Sequence, residues 1–283
     1  DLTLMTDQGE KKPAELQNQT IPKNSRRTFP LHAYITTYDV STMVTSTGGD
    51  VICERAMYSG DWSWGHDSIG VTMPASTWYL AEGSTAGGMQ TYILVQNPNP
   101  DPVTVDLTLM TDQGEKKPAE LQNQTIPKNS RRTFPLHAYI TTYDVSTMVT
   151  STGGDVICER AMYSGDWSWG HDSIGVTMPA STWYLAEGST AGGMQTYILV
   201  QNPNPDPVTV DLTLMTDQGE KKPAELQNQT IPKNSRRTFP LHAYITTYDV
   251  STKVDATGGP VICERAMYSG DWIWGHDSVG FTP

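Results

Sequence analysis

The chain repeats itself. DLTLMTDQGEKKPAELQNQT opens at Asp1, again at Asp106 and again at Asp211, and residues 1–105 and 106–210 are identical at every position. The last 73 residues follow the same unit and depart from it at Lys253, Asp255, Ala256, Pro260, Ile273, Val279, Phe281 and Pro283. A solenoid repeat is about 20–50 residues long, and its neighbours complete its core. The period here is 105 residues, the size of a domain with a core of its own, roughly 100–150 residues. The repeat therefore predicts an extended, beads-on-a-string array of one domain. Three copies of a motif are still one observation.

Within the unit, strand patterns dominate. In the second copy Val103, Val105, Leu107 and Leu109 alternate with Thr104, Asp106 and Thr108, the period-two mark of a strand with one buried face. Tyr92–Val95 and its equivalent Tyr197–Val200 are apolar on both faces, as a central strand would be. Asp144–Val149, Val156–Tyr163, Trp183–Ala186, Ser173–Thr177, Glu120–Ile126 and Arg131–Phe134 read as further strands. Asp112-Gln-Gly114 and Thr152-Gly-Gly-Asp155 read as turns, and only Leu136–Tyr143 suits a short helical turn. Seven to nine short strands with regular turns predict an all-β protein of antiparallel Ig-like β-sandwich domains in tandem. The departures in the last copy respect this alternation. Charges enter at the outward positions (Lys253, Asp255), while the inward ones stay apolar (Val279, Phe281).

The last copy stops just after a strand, which sets the phase. Residues 1–73 form an incomplete repeat lacking its first strands, and 74–178 and 179–283 form complete ones. The missing strands come from a longer array, the preferred expectation, or by donor-strand exchange from a neighbouring chain. The expected partners are copies of the protein itself, end to end. The junction Pro179-Ala-Ser-Thr-Trp183 is too short and too proline-bound to be a floppy linker, so a semi-rigid array is expected.

Composition excludes several functions. Charged residues make up 18% of the chain and the net charge is −12, against the clustered basic footprint that nucleic acids require. No apolar run approaches the roughly 18 residues of a membrane span. Cys53, Cys158 and Cys263 fall one per unit, so no unit closes a disulfide of its own. Each reads as a small buried hydrophobe, with an interchain thiol as the alternative.

The most chemically loaded stretch is Ser164-Gly-Asp-Trp-Ser-Trp-Gly-His-Asp172. Trp167, Trp169 and His171, with Trp62, Trp64 and His66 or Trp272, Trp274 and His276 in the other copies, are candidates for stacking on a surface glycan. The structural alternative has the tryptophans capping the sandwich or packing on the next domain, with Asp172 holding His171. Ile273, in place of Ser168, makes this tip more apolar in the last copy. His171 and Asp172 are neighbours that point apart on a strand, and no second histidine stands at ligand spacing, so no metal and no cofactor is expected. Glu187 and Asp172 could meet at a junction to hold calcium, but no DxDxD-type run accompanies them. Glu159 and Arg160 likewise point apart and must each find a partner on another strand. Asn18, Asn123 and Asn228 head N-x-Thr sequons. No set of acid, base and nucleophile emerges, so no enzyme is expected.

The phrases TWYLAEGST (77–85), TYILVQNPNP (91–100), PKNSRRTF (127–134), VICERAMY (156–163) and GHDSIGV (170–176) together resemble an uncharacterised family of bacterial cell-surface tandem-repeat domains of the WYFAEGST…ERxMY…GHDSIG type. The resemblance covers each whole unit. It implies an Ig-like sandwich in large secreted or wall-associated proteins, and it carries over no catalytic residue. The expected role is a structural repeat of an extracellular filament, stalk or cell-surface fibre. The alternative is an adhesin module that binds carbohydrate or a host surface through its tryptophan loop.

Overall fold

The computed structural model describes residues 1–283. The second and third units are two-sheet, all-antiparallel sandwiches. In the second unit one sheet runs in the order Gln124–Ile126, Val103–Thr111, Val145–Thr152, Thr77–Leu80, with Gly114–Lys116 also pairing Val103–Thr111. The facing sheet runs Ser130–Pro135, Gln90–Asn97, Ile157–Tyr163, Gly170–Ile174. The third unit repeats this order with its own strands. Tandem β-sandwiches are thus the architecture.

The core follows the predicted alternation. Val103, Val105, Leu107 and Leu109 are buried and meet Ile93, Val95, Phe134 and Cys158 of the opposite sheet. Trp78 closes this core, and its indole N–H donates to the Val156 carbonyl at 2.7 Å. Lys253 and Asp255 form an ion pair at 2.8 Å on the outward face, as charges there should. Val176 packs against the core of the third unit rather than its own.

Two strands differ from expectation. Glu120–Ile126 splits into a 3-10 turn, Ala119–Leu121, and a short strand, Gln124–Ile126. Asn123 stands between them with φ 53°, a left-handed conformation that no extended strand contains. The last strand is Gly170–Ile174 rather than Ser173–Thr177. Beyond it the chain crosses to the other sheet: Gly175 N–H donates to the Cys158 carbonyl, and Val176 bridges to Tyr79. A Cβ on Gly175 would lie 3.0 Å from Trp78 and 3.1 Å from the Tyr79 carbonyl, so the crossing needs glycine. The helical turn expected in Leu136–Tyr143 is the 3-10 turn Leu136–Ala138.

Residues 1–73 form two small separate sheets. Leu2–Thr6 pairs with Gly9–Lys11 and Ser41–Val44, and Glu54–Tyr58 forms a separate hairpin with Gly65–Ile69. SRRTFP is a strand at 130–135 and at 235–240 but not at 25–30. At those two places it pairs with Gln90–Asn97 and with Met194–Asn202, and no such strand pairs with residues 25–30.

Candidate functional site

The linker is not what couples neighbouring units. Along Ile157–Tyr163, Cys158 points into its own core, whereas Arg160 and Met162, on the same side, pass the end of that core and reach the third unit. The opposite side faces the first unit: Glu159 accepts from Arg55 Nη2 at 2.6 Å, and Tyr163 Oη lies 3.2 Å from His66 Nε2. This is why Tyr197–Val200 reads as apolar on both faces. Ile198 and Val200 fill their own core, and Leu199 packs with Met162 and Trp169 of the second unit.

A buried cluster of charges sits at the centre of the second junction. Arg160, fully buried, lies 3.1 Å from Glu82 and 3.2 Å from Glu264, and also contacts Asp277. Ala81 N–H donates to Glu264 at 2.6 Å, and Tyr268 O–H donates to Glu82 at 2.6 Å. His171 Nε2 lies 3.1 Å from the Tyr268 hydroxyl oxygen. His171 Nδ1 lies 2.8 Å from Asp277. Trp169 stacks on His171 and meets Tyr268 edge-on, which closes the cluster from water. A second contact flanks it: buried Arg236 donates to the Gly83 carbonyl at 2.7 Å, and Thr238 bonds Asp144.

The first junction is built from the equivalent residues. Arg55 contacts Asp172 as well as Glu159, and His66 Nδ1 lies 2.7 Å from Asp172. Trp64 stacks on His66 and meets Tyr163 edge-on. Thr133 donates to Asp39 at 2.5 Å. The strand Gly170–Ile174 therefore serves both neighbours, with His171 reaching forward and Asp172 back.

Burial and charge compete in the second cluster. Burial pushes the Glu264 carboxyl up to about 7, although Arg160 opposes it. Asp277 is equally buried, yet Arg160 and His171 outweigh the desolvation and hold it at about 2. Glu82, His171 and Asp277 bring one ligand atom each within 4.8 Å of one another. The guanidinium of Arg160 stands among them and supplies the positive charge. The arrangement is a side-chain lock, with one arginine bridging carboxylates from two units.

The predicted residues divide between this lock and the surface. Trp64, Trp169, His66 and His171 belong to junctions, whereas Trp274 and His276 are their counterparts on the free face of the third unit. Trp62, Trp167 and Trp272 remain exposed, each with φ near 60°, an unusual conformation for a bulky residue. Trp167 leans on Tyr163 at 4.8 Å between ring centres. Asp166 fixes this loop by accepting from the Ser164 hydroxyl at 2.6 Å and the Ser168 N–H at 3.1 Å, and these bonds hold its carboxyl at about 2.

Some expectations need correction. Asp172 does not hold His171: the two point apart on the strand, and Asp172 meets His66 of the preceding unit. Glu187 and Asp172 do not meet, since Glu187 pairs with Arg265 of its own unit; the carboxylates brought together across a junction are Glu82 and Asp277. Cys158 and Cys263 are fully buried, and burial raises both thiols well above their usual range, so neither is an accessible interchain thiol. Cys53 is half-buried. Asn18, Asn123 and Asn228 are exposed. The residues missed were Glu82, Tyr268 and Glu264. Their one signal was the adjacency of glutamate and arginine on a strand, which demands a partner on each side.

A family model described as a family of unknown function, DUF5719, matches residues 68–159 and 170–264, more than half of the chain. The chain belongs to this family. Each match runs from a GHDSIG-type strand to the glutamate of the following VICER segment. No curated protein matches the sequence. Among solved structures, one titled Thermotoga maritima 1070 is similar at 11% identity and TM-score 0.33, over 38% of this chain and 97% of that one. A β-glucuronidase of Bacteroides uniformis is similar at 9% identity and TM-score 0.18, over 72% of this chain; the match spans about a quarter of that enzyme. Likenesses this weak say nothing of activity. No helix is long and apolar enough to cross a membrane.

Proposed function

We propose that the protein is a structural repeat of an extracellular filament, stalk or cell-surface fibre, serving as a semi-rigid spacer or fibre body. The observation that carries this reading is the recurrence of one junction: the same arginine, histidine, aspartate, glutamate and tyrosine positions meet at both boundaries. A heterologous contact of this kind propagates in one direction. A buried, hydrogen-bonded charge cluster also accepts only one register, because a shift would strand charges without partners. Stiffness then comes from the packed faces as well as from the short linker. Small-angle scattering of single chains tests the reading: rod-like dimensions support it, and a flexible, collapsed profile contradicts it.

A second reading, recognition of a surface glycan, is favoured by the exposure of Trp62, Trp167 and Trp272 while the tryptophan two residues later is drawn into a junction in the first two units. Trp167→Ala separates the readings. Loss of glycan-array binding with unchanged melting supports recognition, and unchanged binding removes it.

A further inference from the structure

The tryptophan loops carry a surface that the junctions do not use. Trp167 holds a left-handed backbone, φ 60°, which a bulky residue keeps only where its surroundings enforce it. Here hydrogen bonds enforce it. Trp167 N–H donates to the Ser164 carbonyl at 3.0 Å, and Ser168 N–H to the Ser164 hydroxyl at 3.0 Å and to Asp166 at 3.1 Å. The half-exposed indole rests on Tyr163 and tilts against Tyr92, with 6.1 Å between the latter ring centres. This loop is seated on another. A Cβ on Gly165 would lie 2.5 Å from the Gly88 carbonyl oxygen, and a Cβ on Gly87 3.0 Å from the Tyr143 ring. Tyr143 and the tryptophan loop therefore flank two adjacent glycines, and a Cβ on Gly88 would have nothing within 4 Å of it. The third unit repeats the strip, with Tyr248 on Gly192, Gly270 on Gly193, and Trp272 at φ 60°. Tyr143 and Tyr248 are both 69% exposed, Trp167 is 49% and Trp272 44%, so each strip is built within one unit whatever adjoins it.

We propose that each strip, Tyr143–Gly87–Gly88–Trp167 and Tyr248–Gly192–Gly193–Trp272, binds a stretch of a neutral polysaccharide, with the C–H face of a pyranose on the indole. It rests on the recognition reading and deepens it. Three features select this ligand. Two exposed aromatic rings beside a floor without side chains offer flat apolar faces with polar surroundings, which suits a chain of flat, hydroxylated rings. The charged residues of the contributing segments 84–92, 142–144 and 164–168 are Asp144 and Asp166. Both are acidic, which repels uronates, sulfates and phosphates. The bonds to Asp166 all go to one carboxylate oxygen, so the other is open to a sugar hydroxyl. Gln90, whose Oε1 accepts from the Tyr92 hydroxyl at 2.8 Å, keeps its amide N–H groups for donation. Recurrence after 105 residues suits a polymer, since two weak sites on one polysaccharide gain from effective concentration.

Affinity electrophoresis of the 283-residue chain tests this, with hydroxyethylcellulose, xyloglucan and galactomannan as neutral probes and carboxymethylcellulose as the charged counterpart. The expected result is retardation by at least one neutral polymer and none by the charged one. Trp272→Ala alone should weaken the apparent affinity by about tenfold through lost avidity, and Trp167→Ala with Trp272→Ala should abolish retardation. Tyr143→Ala with Tyr248→Ala should weaken it by about tenfold. Circular dichroism should be unchanged throughout, and the exposed tyrosine pair keeps the test sound if a tryptophan variant loses its fold. A chain retarded by no neutral polymer overturns the proposal, as does equal retardation by carboxymethylcellulose. Retardation that needs the tryptophans but survives loss of both tyrosines sinks the strip and leaves recognition standing. No retardation and no binding to a glycan array sinks both.

Discussion

Residues 1–73 and 106–178 have the same sequence and different structures. Tyr58 is 57% exposed and Tyr163 7%; Ile21 is 40% exposed and Ile126 is fully buried. SRRTFP is a strand in one and irregular in the other. The difference lies in what each segment has to pair with. The second unit has Gln90–Asn97 to receive Ser130–Pro135 and Val103–Val105 to receive Gln124–Ile126; the first has neither. Strand formation here is a property of the partner as much as of the residues, as the context dependence of β-propensity implies. The same lesson holds one level up, where Trp169 is buried because a third unit covers it and Trp274 lies open.

The comparison can be broken most forcefully at the arginines. Arg160→Ala leaves Glu82, Glu264 and Asp277 buried without their cation and should cost about 3–5 kcal/mol in urea unfolding, with the second junction opening first. Arg55→Ala, at the half-exposed equivalent, should cost about 1 kcal/mol or less. Equal effects at the two sites would mean that burial of the cluster is not what distinguishes them. Trp169→Ala should destabilise by about 3 kcal/mol, in the range for a buried aromatic, and Trp167→Ala by much less.

Next comes the repair of the first unit. Placing the sequence of residues 74–105 ahead of Asp1 should turn residues 25–30 into a strand and bury Ile21. Amide exchange there should slow to the rate of residues 130–135; exchange that stays fast would show that the partner strand is not the missing element.

The same cluster sets a pH dependence. Glu264 has a folded value near 7, above its unfolded one, so its contribution is full below about 4.5 and is lost as pH rises through 7. Asp277 is held near 2, below its unfolded value, so its contribution is present above about 4 and is lost as pH falls towards 2. Stability of the second junction should therefore peak in mildly acidic solution and decline towards pH 7 by about 1 kcal/mol per pH unit. Glu264→Gln should flatten the decline above the peak, and a melting curve in which it persists would assign the loss to another group.

Much of the fold was legible. The alternation of Val103–Leu109 gave the core face, and the entry of Lys253 and Asp255 on the other side confirmed the period. The junction was legible only in outline. A strand apolar on both faces, Tyr197–Val200, announces two buried sides, and adjacent Glu159 and Arg160 demand partners on each. Neither says which unit supplies them, because equivalent residues in identical repeats cannot be told apart by pattern. The exchange of His171 from Asp172 to Asp277 is of this kind: the chemistry of the pair was right, and its two members come from different copies.

The central claim, that a buried junction locks the repeats in one arrangement, is tested most directly by the distance between two units in solution. Asn123 and Asn228 are exposed and equivalent. Spin labels at Asn123→Cys and Asn228→Cys, with Cys53→Ser to remove the half-buried thiol, report that distance by pulsed electron resonance. A locked junction predicts one narrow distribution that broadens in Arg160→Ala. A broad distribution in the labelled protein with Arg160 intact would contradict it.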